Sequence, residues 1–155
     1  MLLLGALALP MLAGCMSETT VPREQCPAAT IPEVSGDTVR SSTGLKYINI
    51  SLGDSTGAVA ANSDTVGVHY NGYLPAGRIF QSTAAIGPQE FPLNVVIPGF
   101  AEGVRGMRVG GMRRLIVPPN LAYGANPNGC IPGNSTLIFD VELLYVKKAT
   151  SPSLP

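Results

Sequence analysis

The chain has 155 residues with ten basic and ten acidic side chains, so its formal net charge is zero and no electrostatic partner such as nucleic acid is implied. There is no Trp and a single His, His69, which removes most histidine-based metal and nucleophile chemistry. With 18 Gly and 14 Pro among short alternating apolar runs, the composition points to a β-rich domain with many turns.

Residues 1–14 are nearly all apolar. A helix of that length reaches roughly 20 Å, short of the ~30 Å hydrocarbon core, so the run reads as a signal-peptide core and not as a membrane span. It ends in Leu12-Ala13-Gly14-Cys15. That sequence resembles a bacterial lipobox, in which the leader is cleaved before a Cys that carries the lipid. The expectation is an exported chain, lipid-anchored through Cys15 to a bacterial membrane and facing the periplasm.

Residues 15–42 are polar, with Pro22, Pro27 and Pro32 and no periodicity, and read as a flexible tether. Cys26 and Cys130 lie beyond the expected cleavage site. In an oxidising compartment they form a candidate disulfide pair.

The folded part is expected over residues 43–148, with 149–155 as a tail. Leu45 to Leu52 mixes apolar and polar residues as a half-buried strand does. Thr65 to Leu74 is a second strand, with Val66, Val68 and Tyr70 on one face and Gly67, His69 and Asn71 on the other. Pro75-Ala76-Gly77 turns the chain into a short strand, Arg78 to Ser82. Glu90 to Val95 is a fourth strand, which Pro92 confines to an edge or a bulge. At Pro98 a short helix begins, with Phe100, Val104 and Met107 on its apolar side. Gly103 and Gly106 weaken it and limit its length. Met112 to Val117 is a strand, stopped by Pro118-Pro119. A long loop from Asn120 leads to the last strand, Thr136 to Val146, where Leu137, Phe139, Val141 and Leu143 share a face opposite Asp140 and Glu142. One short helix cannot form a core alone, so it must lie against the sheet.

Six segments occur in the order and with spacing like that of FKBP-type peptidyl-prolyl isomerases. They are Val68-His69-Tyr70-Asn71-Gly72, Gly77-Arg78-Ile79-Phe80-Gln81-Ser82, Val96-Ile97-Pro98-Gly99-Phe100, Gly110-Gly111-Met112-Arg113-Arg114, Ala122-Tyr123-Gly124 and Leu137 to Leu143. The chain resembles that family from about Thr43 to Lys147. The resemblance implies an α+β fold: a half-open antiparallel sheet curled around one short helix. It also implies a pocket for a prolyl ring, with Phe100 as floor, where many relatives carry Trp. Tyr70, Phe80, Phe91 and Phe139 would be walls, and Val96 and Ile97 a border. The Ile97 N–H and the Tyr123 hydroxyl would be donors, and Ile131 would close one side. Gln81 stands where the family commonly has Asp; its amide can hydrogen-bond but carries no charge.

The implied activity is cis–trans isomerisation of X–Pro bonds in exported polypeptides, with no cofactor and no metal. Macrolide inhibitors are further implied ligands. Gln81 keeps open a binding module that grips proline-containing partners with little turnover. Ser82, His69 and Asp140 could suggest a hydrolase, but no nucleophile motif accompanies them. Arg105, Arg108, Arg113 and Arg114 read as a solvated face. No long helical segment of the kind some exported relatives use to dimerise precedes the domain, so a monomer is expected.

Overall fold

The computed structural model describes residues 25–149. The expected signal peptide, the lipobox and Cys15 lie outside the described residues. Seven strands and one α-helix follow in chain order: β1 (Thr38–Arg40), β2 (Lys46–Leu52), β3 (Thr65–Leu74), β4 (Arg78–Ser82), β5 (Gln89–Pro92), α1 (Pro98–Val104), β6 (Gly111–Val117) and β7 (Leu137–Lys147). A single 3-10 turn, Pro119–Leu121, follows β6. All strand pairs are antiparallel.

The expectation of a half-open sheet curled around the helix is corrected. The hydrogen-bonded path is β1-β2-β6-β7-β3-β4, with β5 added to β3, and no pair closes it. The reason lies in β3. Its outer edge is shared between β4, which pairs with Asn71 to Leu74, and β5, which pairs with Thr65 to Val68. Two short strands on one edge leave none that spans back to β1, so the sheet stays open. The fold is α+β: an open antiparallel sheet with one short helix lying against it.

Alternation places Val66, Val68 and Tyr70 of β3 and Leu137, Phe139, Val141 and Leu143 of β7 in the core. Phe100, Val104 and Met107 meet them from α1 and the turn after it. Gly103 does more than limit the helix. A Cβ there would lie 2.5 Å from Leu115 of β6, so its absence lets the helix approach the sheet.

Of the four arginines expected on a solvated face, Arg105 and Arg108 are exposed and Arg113 and Arg114 are not. Arg114 is buried and holds Asp140 with two hydrogen bonds, Nε to Oδ1 at 2.5 Å and Nη2 to Oδ2 at 2.6 Å. Arg113 donates to the Gly103 carbonyl at 2.7 Å and to Asn49 Oδ1 at 2.7 Å, with its guanidinium 4.4 Å from the Tyr47 ring centre. It thereby satisfies a carbonyl at the end of α1 that the helix itself cannot. Arg108 donates to the Ser55 carbonyl at 2.9 Å.

Residues 25–42, expected as part of a flexible tether, lie on the domain as a strap. Cys26 and Cys130 form a disulfide that fastens the start of the strap to the domain. The Pro27 carbonyl accepts from the Ile79 N–H at 2.9 Å, and Ala29 N–H donates to Gly77 at 2.8 Å. Arg114 donates to the Pro32 carbonyl at 2.8 Å. The strap ends as β1 on the edge of β2. It therefore touches the β4 side of the sheet at its start and the β2 side at its finish.

Candidate active site

Aromatic side chains from four strands and the helix meet at the open side of the sheet. Tyr70 (β3) stands edge-on to Phe91 (β5) at 5.8 Å between ring centres and to Phe100 (α1) at 5.9 Å. Phe139 (β7) meets Phe100 at 5.4 Å and Phe80 (β4) at 5.5 Å, again edge-on. Edge-to-face contacts of this kind hold rings at fixed angles and are worth ~0.5–1.5 kcal/mol each beyond their burial.

Local backbone explains how Phe80 joins the set. In the β3–β4 ladder Gly72 faces Gln81 and Tyr73 faces Ile79, which leaves Phe80 as the extra residue of a bulge. A bulge re-aims one side chain. The ring lies over Gly72, where a Cβ would come within 2.5 Å of it.

These rings enclose a cleft of about 250 Å³, lined by Tyr70, Phe80, Gln81, Phe91, Val95, Val96, Ile97, Phe100, Tyr123 and Phe139. Nothing in the lining carries a formal charge at neutral pH. Burial, with the nearby Tyr123, pushes the Tyr70 phenol up to about 12. Tyr70 is therefore a neutral hydroxyl at physiological pH. Two further donors come from the backbone. Pro98 starts α1 with Ile97 as the capping residue, whose carbonyl accepts from Phe100 and Ala101. Among the described residues, the N–H groups of Val96 and Ile97 meet no acceptor. The arrangement is an aromatic floor without formal charge, with hydroxyl and amide donors at its edge.

The profile of the FKBP-type peptidyl-prolyl cis-trans isomerases matches residues 57–144. The chain belongs to this family. Over 110 residues it is 47% identical to FkpA of Escherichia coli (strain K12), an alignment covering 70% of this chain and 40% of FkpA. The crystal structure of E. coli FkpA superposes with a TM-score of 0.68 at 46% identity, over 73% of this chain and 53% of that one. A peptidyl-prolyl cis-trans isomerase from Pseudomonas syringae pv. tomato superposes with a TM-score of 0.66 at 32% identity, over 72% of this chain and 81% of that one. The chain spans about two fifths of the length of the FkpA relatives it matches.

Within this FKBP-type domain, nine of the ten residues expected at the site line the cleft: Tyr70, Phe80, Gln81, Phe91, Val96, Ile97, Phe100, Tyr123 and Phe139. Ile131 does not. It is buried in the core beside the disulfide, in a tight turn where its N–H donates to Asn128 and its carbonyl accepts from the same residue. Val95 lines the cleft and was not expected there. It is 72% exposed, and its place in an apparent strand end gave no sign that the chain turns at Pro92 and presents it at the rim. The hydrolase set is not assembled: His69 bonds Thr83, and Asp140 is held by Arg114.

Proposed function

We propose that this protein accelerates cis–trans rotation about X–Pro bonds of exported polypeptides, using the aromatic cleft. One observation carries the reading: an uncharged ring-lined cleft of about 250 Å³ with free backbone donors at Val96 and Ile97 on its border. An X–Pro amide is planar through resonance, and rotation costs ~18–20 kcal/mol. In the twisted transition state resonance is lost and the carbonyl dipole falls. Water favours the planar, polar form, and a dry cleft withdraws that preference. Phe100 would support the prolyl ring, with Tyr70, Phe80, Phe91 and Phe139 as walls. The Ile97 N–H and Tyr123 hydroxyl would hold flanking carbonyls in a turn-like pose. Each tenfold of rate needs only ~1.4 kcal/mol, which such a cleft can supply without nucleophile or metal.

A second reading, a module that grips proline-containing chains with little turnover, is favoured by Gln81, an exposed amide at the rim. Macrolide inhibitors are proposed ligands of the same cleft under either reading. A protease-coupled assay of the purified full chain on an X-Pro-Phe peptide separates the two. Acceleration at micromolar protein supports the isomerase. Saturable binding with no acceleration transfers the site to the second reading.

We further propose that residues 1–14 are a lipoprotein signal peptide and that Cys15 is lipidated. The chain would then face an extracytoplasmic compartment as a monomer. The Cys26–Cys130 bond supports export, because disulfides persist in oxidising compartments.

A further inference from the structure

Tyr70 meets three other rings of the cleft, and its backbone sits at a break in the sheet. The last β4 partner on β3 is Asn71, and the first β5 partner is Val68. Between them the chain leaves the ladder at Thr83 and loops away to β5. In a regular antiparallel ladder, every second facing pair exchanges two main-chain hydrogen bonds, and Tyr70 and Thr83 stand at such a position, two residues on from Gly72 and Gln81. Here only one is regular: the Thr83 N–H donates to the Tyr70 carbonyl at 3.0 Å. The Tyr70 N–H donates instead to the Thr83 hydroxyl, at 3.0 Å. That hydroxyl lies 3.2 Å from the Tyr70 carbonyl and 3.1 Å from His69 Nδ1. Thr83 is 1% exposed, the most buried polar side chain among the described residues.

We propose that Thr83 is a positioning residue for the reaction: its hydroxyl replaces an absent main-chain carbonyl in the sheet and so sets the Tyr70 ring in the cleft. The inference rests on the isomerase reading above. The hydroxyl has one proton and two lone pairs. Donating to the Tyr70 carbonyl and accepting from the Tyr70 N–H uses two of these, and the His69 tautomer that carries its proton on Nδ1 supplies a donor for the third. The side chain thus closes the ladder at the residue where β3 changes partners. Without it, a buried N–H at the root of the Tyr70 side chain has no acceptor, and β3 is free to shift at its break. The edge contacts of Tyr70 with Phe91 and Phe100 depend on that backbone position. Small displacements of binding groups carry large rate penalties.

The test compares Thr83→Val, which keeps shape and loses the hydroxyl, with Thr83→Ser, which keeps the hydroxyl, both in the full chain. Expected for Thr83→Val is a fall of about tenfold in kcat/KM for an X-Pro-Phe peptide. Hydrogen exchange at the Tyr70 amide should be faster than the change in global stability explains. Thr83→Ser should stay within about twofold of the parent in both. Equal losses in the two variants, or a fast Tyr70 amide with unchanged turnover, overturn the proposal. Should Thr83→Val fail to fold, the Thr83→Ser variant and the parent decide: an unprotected Tyr70 amide in either one ends the idea. A parent chain that binds prolyl peptide without turnover removes the isomerase reading instead, and peptide affinity then replaces kcat/KM as the readout for the same variants.

Discussion

The ring of Phe80 occupies the space that a side chain would need at Gly72, with a Cβ there only 2.5 Å from the ring. Gly72 pairs with Gln81, next to the bulge that turns Phe80 into the cleft. Gly72→Ala is therefore expected to move the ring and not merely crowd it. Overpacking at such a site costs ~1–3 kcal/mol. Turnover of an X-Pro-Phe peptide should fall more than thermal stability does, because the displaced group is a wall of the cleft. Calorimetry beside the protease-coupled assay checks this; a loss of stability with full turnover would mean that Phe80 has other room.

Gln81 lines the cleft without charge. Gln81→Asp introduces an anionic acceptor, and hydrogen bonds to ionised groups are roughly twice as strong as neutral ones. Turnover or macrolide affinity should rise several-fold. Unchanged values for both would show that this position does not limit the protein.

The Tyr70 phenol titrates at about 12 in the folded protein, above its ordinary value near 10. The folded state thus holds this proton more tightly than the unfolded chain. The associated stability is fully present below about pH 10 and is lost as pH rises toward 12. In Tyr70→Phe, alkaline unfolding should shift to higher pH relative to the neutral-pH stability of the same variant. Absorbance titration of the phenolates should lose its latest step. Retention of that step would reassign it to another tyrosine.

Breaking the Cys26–Cys130 bond opens a loop with a sequence separation of 104 residues. The chain-entropy model gives about 4.7 kcal/mol for a loop of ~100 residues, and removing native disulfides typically costs ~2–5 kcal/mol. Urea unfolding of the Cys26→Ser, Cys130→Ser double variant should show a loss in that range. A change below ~0.5 kcal/mol would mean that the strap's hydrogen bonds hold it without the bond.

Cys15→Ser should abolish fatty-acid labelling of the chain in the producing cell. Label that persists on the variant removes the lipid-anchor proposal.

Much of the core was legible because its residues repeat with the period of their element, whereas the cleft residues were implied by the resemblance to the FKBP-type family. Val66, Val68 and Tyr70 alternate, as do Leu137, Phe139 and Val141, and Phe100, Val104 and Met107 follow a helical spacing. What escaped is set by distant partners. β1 is three exposed residues whose only structural cause is the edge of β2. The bulge at Phe80 depends on how β3 pairs on its other residues, and no local pattern announces it. Arg113 and Arg114 look like surface charge until Gly103, Tyr47 and Asp140 are placed beside them. Thr83 has no local signal, because the bond it replaces belongs to a strand residue 13 positions earlier. The open sheet follows from two short strands sharing one edge, a matter of register rather than of composition.

The strap gives the membrane proposal a length. Cys26 is fastened to the domain eleven residues beyond Cys15. At ~3.3–3.6 Å per residue, a fully drawn-out chain between them spans no more than about 40 Å. Were Cys15 lipidated as proposed, the domain would be held to a thin layer above the bilayer instead of ranging through the whole compartment. The chains it would meet first would be those still close to the membrane they have just crossed.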